Sequence, residues 1–144
     1  MHKLPAVEEA KRLMEEAKGW SLWGWLMEKR RLRRTADEAW AALEQEEKRI
    51  RALWSGELKE AARHPGGKDV DPEMSTVLER LKEADQEAHS AHMQAEETFD
   101  EADRRMSTSM AREGAQQAID AWGMREKVIR KAEAIGRRVA GAAR

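Results

Sequence analysis

Two histidines three residues apart, His89 and His92, stand close to Asp85 in the second half of a 144-residue chain, and two adjacent carboxylates, Glu46 and Glu47, stand in the first half. Imidazole nitrogens and carboxylate oxygens at helical spacings of three or four converge on one point. Helix bundles hold divalent metal ions in this way, with donors facing inward from opposed helices. Such a cluster could support metal binding, with redox or hydrolytic activity as its consequence. The Glu-x-x-His pairs of di-iron bundles are not matched, because Gln86 and not a glutamate stands three before His89. The simpler reading is that Glu46 and His92 form a hydrogen-bonded pair inside an Ala-rich, partly wet interface, fixing register as a polar seam residue can. That simpler reading is preferred, so no cofactor is expected and a divalent metal at Glu46, Glu47, Asp85, His89 and His92 is the alternative.

A second cluster runs Trp20-Ser21-Leu22-Trp23-Gly24-Trp25-Leu26-Met27, followed by Lys29, Arg30, Arg31, Arg33 and Arg34. At 100° per residue Trp20, Trp23 and Trp25 surround a helix and share no face, so one packing partner cannot cover all three. An aromatic plug where helices cross, beside small residues such as Gly114 and Ala115, is the preferred reading. An interfacial anchor, with indoles at the headgroup level and cations toward anionic lipid, is the membrane-surface alternative. Trp40, Glu47 and Trp54 repeat every seven residues and form a further stripe that needs cover, which homodimerisation would supply most simply. Trp20, Trp23, Trp25, Trp40 and Trp54 are therefore the expected interaction residues, with a second copy or another protein as partner. The basic run does not imply nucleic acid, since 27 basic and 28 acidic residues leave a net charge of −1.

Helices must position all of these groups. Valine and isoleucine total nine, tyrosine is absent and phenylalanine occurs once, while 24 alanines accompany abundant Glu, Leu, Lys, Arg, Gln and Met; this mixture favours helix and starves strands. The three prolines are Pro5, Pro65 and Pro72, so one Pro/Gly-rich break at 64–71 separates two long proline-free arms. Apolar three-four spacing predicts seams through Leu32, Ala36, Ala39, Leu43, Ile50 and Leu53 before the break. After it come Leu78, Leu81, Ala88, Ala95, Phe99 and Ala102, then Ala115, Ala118, Trp122, Ile129, Ala132 and Val139. Folding about Lys68 sets residue i level with about 136 − i. The basic run then lies beside a stretch from Glu83 to Asp103 holding eight acids and no Lys or Arg. The expected fold is all-α: one domain, a long antiparallel coiled-coil-like hairpin with helices at about 5–18, 21–63, 72–108 and 114–140. Both arms weaken at a common level, near 19–24 and 107–114, where the hairpin either kinks or doubles back into a four-helix bundle. Thr35-Ala36-Asp37-Glu38 reads as a capping box, but the unbroken seam favours a helix running straight through it.

Trp54-Ser55-Gly56 resembles the Trp-x-Gly signature of small secreted WXG-type helical hairpins, which place it at the bend between two helices. The Pro/Gly break here falls about ten residues later, and the chain has no tyrosine for that family's tyrosine-based export signal. Cysteine is absent, which removes disulfides, thiolate metal sites and a Cys nucleophile. No Gly-rich phosphate loop, Gly-x-Ser-x-Gly elbow or His-Glu-x-x-His occurs. No apolar run approaches the roughly 20 residues of a membrane span, and the N-terminus lacks a signal-like hydrophobic region. A soluble, cytoplasmic, non-enzymatic scaffold or protein-interaction protein is the resulting expectation.

Overall fold

The computed structural model describes residues 3–54, 56 and 72–142, with side chains over 3–54, 56 and 76–138. The described residues form helices and no strand: α1 (Pro5–Ala17), α2 (Leu22–Leu53), α3 (Pro72–Arg105) and α4 (Thr108–Ala142). The all-α expectation holds, and both arms reverse direction at their weak points, so the molecule is a bundle of four helices. Helix α2 runs through Thr35 without interruption. It ends at Leu53 with Trp54 as C-cap; apart from Gly56, the remainder of the helix expected to 63, and the turn expected at 64–71, lie outside the described residues.

Local chemistry explains where each arm reverses. Between α1 and α2, Gly19 and Trp20 donate back to the Glu16 and Ala17 carbonyls, and the Ser21 hydroxyl then accepts from the Gly24 amide at 3.2 Å as the N-cap of α2. Between α3 and α4 a single residue makes the reversal. Met106 adopts φ 50°, its amide reaches the Asp103 carbonyl at 3.4 Å, and the Ser107 amide reaches the Ala102 carbonyl at 3.0 Å. This pair of bonds is a Schellman closure, which normally places glycine at the left-handed position. Ser107 also starts the next helix, its hydroxyl accepting from the Met110 amide at 3.2 Å. Because one serine closes α3 and caps α4, α4 begins six residues earlier than the 114 expected from the loss of seam phase.

Contacts between the helices fix their directions. Lys11 pairs with Glu126 at 2.5 Å and Lys18 bonds Gln116, so α1 runs antiparallel to α4. Lys29 meets Asp103 at 2.6 Å and Arg33 meets Asp100 at 2.9 Å, so α2 runs antiparallel to α3, and the basic run does lie along the acidic stretch. Glu47 meets Arg125 while Trp54 lies on Gly136, so α2 and α4 run parallel. Helix α4 packs directly against all three others. Its buried positions, from Ala111 through Ala115, Ala118, Ala121, Trp122, Val128, Ile129 and Ala132 to Ile135, cover about half the helix circumference at 100° per residue. Ala88, Ala95 and Ala102 of α3 are buried too, and small side chains let two backbones approach closely. By contrast, no Cα of α2 comes within 8 Å of a Cα of α3 among the described residues. Larger side chains fill that gap, with Trp25 stacked on Phe99 at 5.9 Å and Phe99 in turn seated on Gly114, where a Cβ would lie 3.0 Å from the ring.

Met106 holds a backbone conformation that costs an L-residue roughly 1–2 kcal/mol, and its side chain is exposed. Replacing Met106 by Gly is expected to raise unfolding free energy by about 1 kcal/mol in urea titration; Met106→Val is expected to lower it.

Candidate functional site

A polar layer forms at this level, but not through the Glu46–His92 pair expected from the sequence: Glu46 pairs with Arg49, His92 with Glu96, and Glu47 takes the central place. Glu47 is buried and bonded to Arg125 of α4: Nη2 lies 2.6 Å and Nε 2.9 Å from its Oε2. Arg51 supplies a further bond to Oε1 at 3.1 Å. The Arg125 Cζ sits 4.5 Å from the centre of the Trp40 ring. His92 stacks on that indole at 4.0 Å with an interplanar angle of 3°, and His89 meets it edge-on at 5.4 Å. Glu46 faces elsewhere and pairs with Arg49 at 2.5 Å. His92 Nε2 lies 3.3 Å from Glu96. Of the five expected ligands, Glu47 and Asp85 are neighbours, and the two histidines gather on Trp40. Among the described residues no three His, Asp or Glu side chains are grouped as metal ligands.

Arg125 is the residue that sequence reasoning missed. A two-arm register sets 125 beside 11, which is correct for α1, but it does not reveal that α4 also lies on α2. The signal available was the unusual breadth of small residues on α4, which leaves room for a helix on each side.

Charge in this layer is uneven. Burial pushes the Glu47 carboxyl up, but the Arg125 charge and hydrogen bond, with help from Arg51, hold it below the usual carboxylate range. Asp85 is displaced the opposite way, raised by burial and then by the neighbouring Glu47 charge, with Arg125 only partly offsetting them. His92 is lowered by burial against the pull of Glu96 and Asp37, which favours the neutral imidazole that stacks on Trp40. Asp85 Oδ1 and Arg125 Nη1 are buried without a protein hydrogen-bond partner. Asp85 is thus the least comfortable member, a half-buried acid whose strongest neighbour is another acid.

Tryptophan placement divides the expected interaction residues. Trp25 and Trp40 are core, and Trp20 and Trp54 pack against the core's edge. The Trp54 side chain lies against Gly136, where any Cβ would overlap it. The stripe of Trp40, Glu47 and Trp54 is therefore covered by this chain's own α4, and no second molecule is needed to cover it. Trp23 alone of the five stands in solvent, 72% exposed, with Met27 at 67%. At 100° per residue Trp23, Met27, Arg30 and Arg34 form one stripe directly opposite the buried Trp25, Leu32 and Ala39. Lys29 and Arg33 flank it and are ion-paired to α3, and Arg31 is paired to Glu28. Among the described residues Arg30 and Arg34 make no ion pair. They line an open cleft of about 450 Å³ beside the α2/α3 seam.

Two outcomes test the buried layer. Glu47→Leu leaves Arg125 buried without its anion and is expected to cost about 3 kcal/mol or more, whereas Glu47→Leu combined with Arg125→Leu recovers most of that loss; denaturant titration of both variants reads the difference. Asp85 has a folded pKa above its unfolded value, near 3.8. The protonated form therefore favours the fold, and that contribution is full below the unfolded pKa and lost as pH rises through the folded one. Asp85→Asn should be more stable than the parent at neutral pH, and the advantage should shrink to nothing on acidification toward pH 3.8. A difference independent of pH would show that the Asp85 charge is not the cause.

Comparison with known proteins found no matching family model, no similar curated protein and no similar solved structure.

Proposed function

We propose that this chain is a non-enzymatic helical interaction protein, a scaffold that offers the outer face of α2 to a protein partner. The observation that carries this reading is the exposed pair Trp23 and Met27, one helical turn apart, continued along the same stripe by the unpaired Arg30 and Arg34. A solvated indole and thioether are a standing cost to an isolated helix face. Tryptophan and arginine are also the residue types that dominate binding energy where interfaces are tightest. The rest of the bundle supplies rigidity: the opposite side of the same turns holds Trp25 and Leu32 in the core, so the stripe is presented on a fixed rod and binding it requires little ordering. Among the described residues no helix is long and apolar enough to cross a membrane. The alternative of a divalent metal at Glu46, Glu47, Asp85, His89 and His92 gains no support from a geometry in which Glu47 serves Arg125 and Glu46 serves Arg49.

A photoreactive amino acid at position 23, irradiated in cells, tests the reading. A discrete protein adduct that disappears on Met27→Lys is expected. Absence of any adduct, with helicity of the purified protein unchanged, would overturn it.

A further inference from the structure

The cleft beside the α2/α3 seam is unevenly charged. Its walls carry Lys29, Arg30, Arg33 and Arg34 against Asp37 and Asp103, with Trp25 among them. Positions 29 and 33 lie one turn apart, as do 30 and 34, so the cations form two adjacent rows along α2. The inner row is already matched, Lys29 by Asp103 and Arg33 by Asp100. For the outer row, Arg30 and Arg34, the cleft offers only Asp37, and no ion pair forms among the described residues. A further donor on the cleft wall is unmatched: Trp25 is 2% exposed, and its Nε1 is buried with no acceptor among the described residues. Buried N–H groups are rarely left so.

These donors define what an incoming group must supply. Two guanidinium forks one turn apart are separated by about 5.4 Å along the helix. A carboxylate has two oxygens and is satisfied by one fork, whereas a phosphate monoester has three terminal oxygens and a charge near −2, enough to engage both. Arginine clusters recognise phosphorylated protein segments on this principle. We infer that the partner docked on α2 presents a phosphorylated serine or threonine side chain to Arg30 and Arg34, while an apolar residue of the same segment covers Trp23 and Met27. The inference rests on the reading of the α2 stripe as a docking surface and names the chemistry of what docks there. Lys29 and Arg33 remain with the aspartates of α3, so binding breaks neither of the ion pairs that bridge the seam.

Titration of the isotope-labelled full-length protein with three capped, alanine-rich pentapeptides, followed by NMR at a fixed ionic strength of about 0.1 M, tests it. One peptide carries a central phosphoserine, one an unmodified serine, and one a pair of glutamates that supplies the same charge. The phosphopeptide is expected to shift the Arg30 and Arg34 Nε–H and Trp25 indole N–H resonances together and to saturation. It should bind at least about fivefold more tightly than the diglutamate peptide, and the serine peptide should not bind. R30Q/R34Q should lose at least about tenfold in affinity. R130Q/R137Q removes the same charge from two ion-paired arginines near the other end of the bundle, and should bind within about twofold of the parent. Equal affinity for the diglutamate peptide, shifts without saturation, or a loss shared by both double variants would overturn the inference. In cell extract, phosphatase treatment before irradiation should remove the photoadduct from position 23. An adduct that survives the treatment leaves the docking face standing and removes the phosphoryl group from it. A phosphopeptide bound at Arg30 and Arg34 with no adduct at all sinks the protein-docking reading and leaves the phosphoryl site standing.

Discussion

The close approach of α3 and α4 across their alanines is the constraint on which the other contacts rest. Each alanine buries little surface, so the gain lies in dispersion between backbones brought near and in the absence of side-chain entropy to lose. Once α4 lies that near α3, it also lies within reach of α1 and α2, and its broad buried surface serves all three. The α2/α3 gap is set by the same arrangement. Both helices are anchored to α4, and the space left between them is wide enough to require Trp25, Phe99, Trp40 and His92. Tryptophans in this chain fill a width that alanines elsewhere create.

The polar layer follows from that geometry. Arg125 projects from the buried half of α4 and is nearly shut off from water, so its charge must be met inside the bundle. Glu47 meets its charge and Trp40 its face. A buried ion pair of this kind adds little to net stability compared with well-packed apolar residues. It is strict about register, since a shift of one turn between α2 and α4 would leave two charges without partners. Of the five expected ligands, Glu47 holds the Arg125 charge and the two histidines line the Trp40 ring beside it, while Glu46 pairs with Arg49 outside this layer.

Much of this was legible in the sequence, and the exceptions have physical reasons. The helical class, the continuity of α2 through Thr35, the pairing of α1 with α4 and the basic run on acidic α3 all follow from spacing and charge. These are properties of neighbouring faces, and faces are what periodicity reports. The contact of α2 with α4 was not legible, because it joins helices from different arms that share no seam phase. Its absence from the reading misdirected the stripe of Trp40, Glu47 and Trp54 toward an outside molecule and hid Arg125. Met106 was equally opaque, since a methionine in the left-handed region carries no signature that separates it from a seam residue. Trp23 was named among five tryptophans, and only burial distinguishes it from the other four.

The reversal through Met106 and Ser107 has no spare length, and this ties the two longest helices together rotationally. One residue added there would turn α4 by about 100° and slide it by about 1.5 Å relative to α3. Arg125 would swing away from Glu47, and Gly136 would be replaced beneath the Trp54 ring by a neighbour with a side chain. Loops in bundles usually drift in length at little cost; this one works as a gear tooth, and natural variation in its length would have to come in whole helical turns.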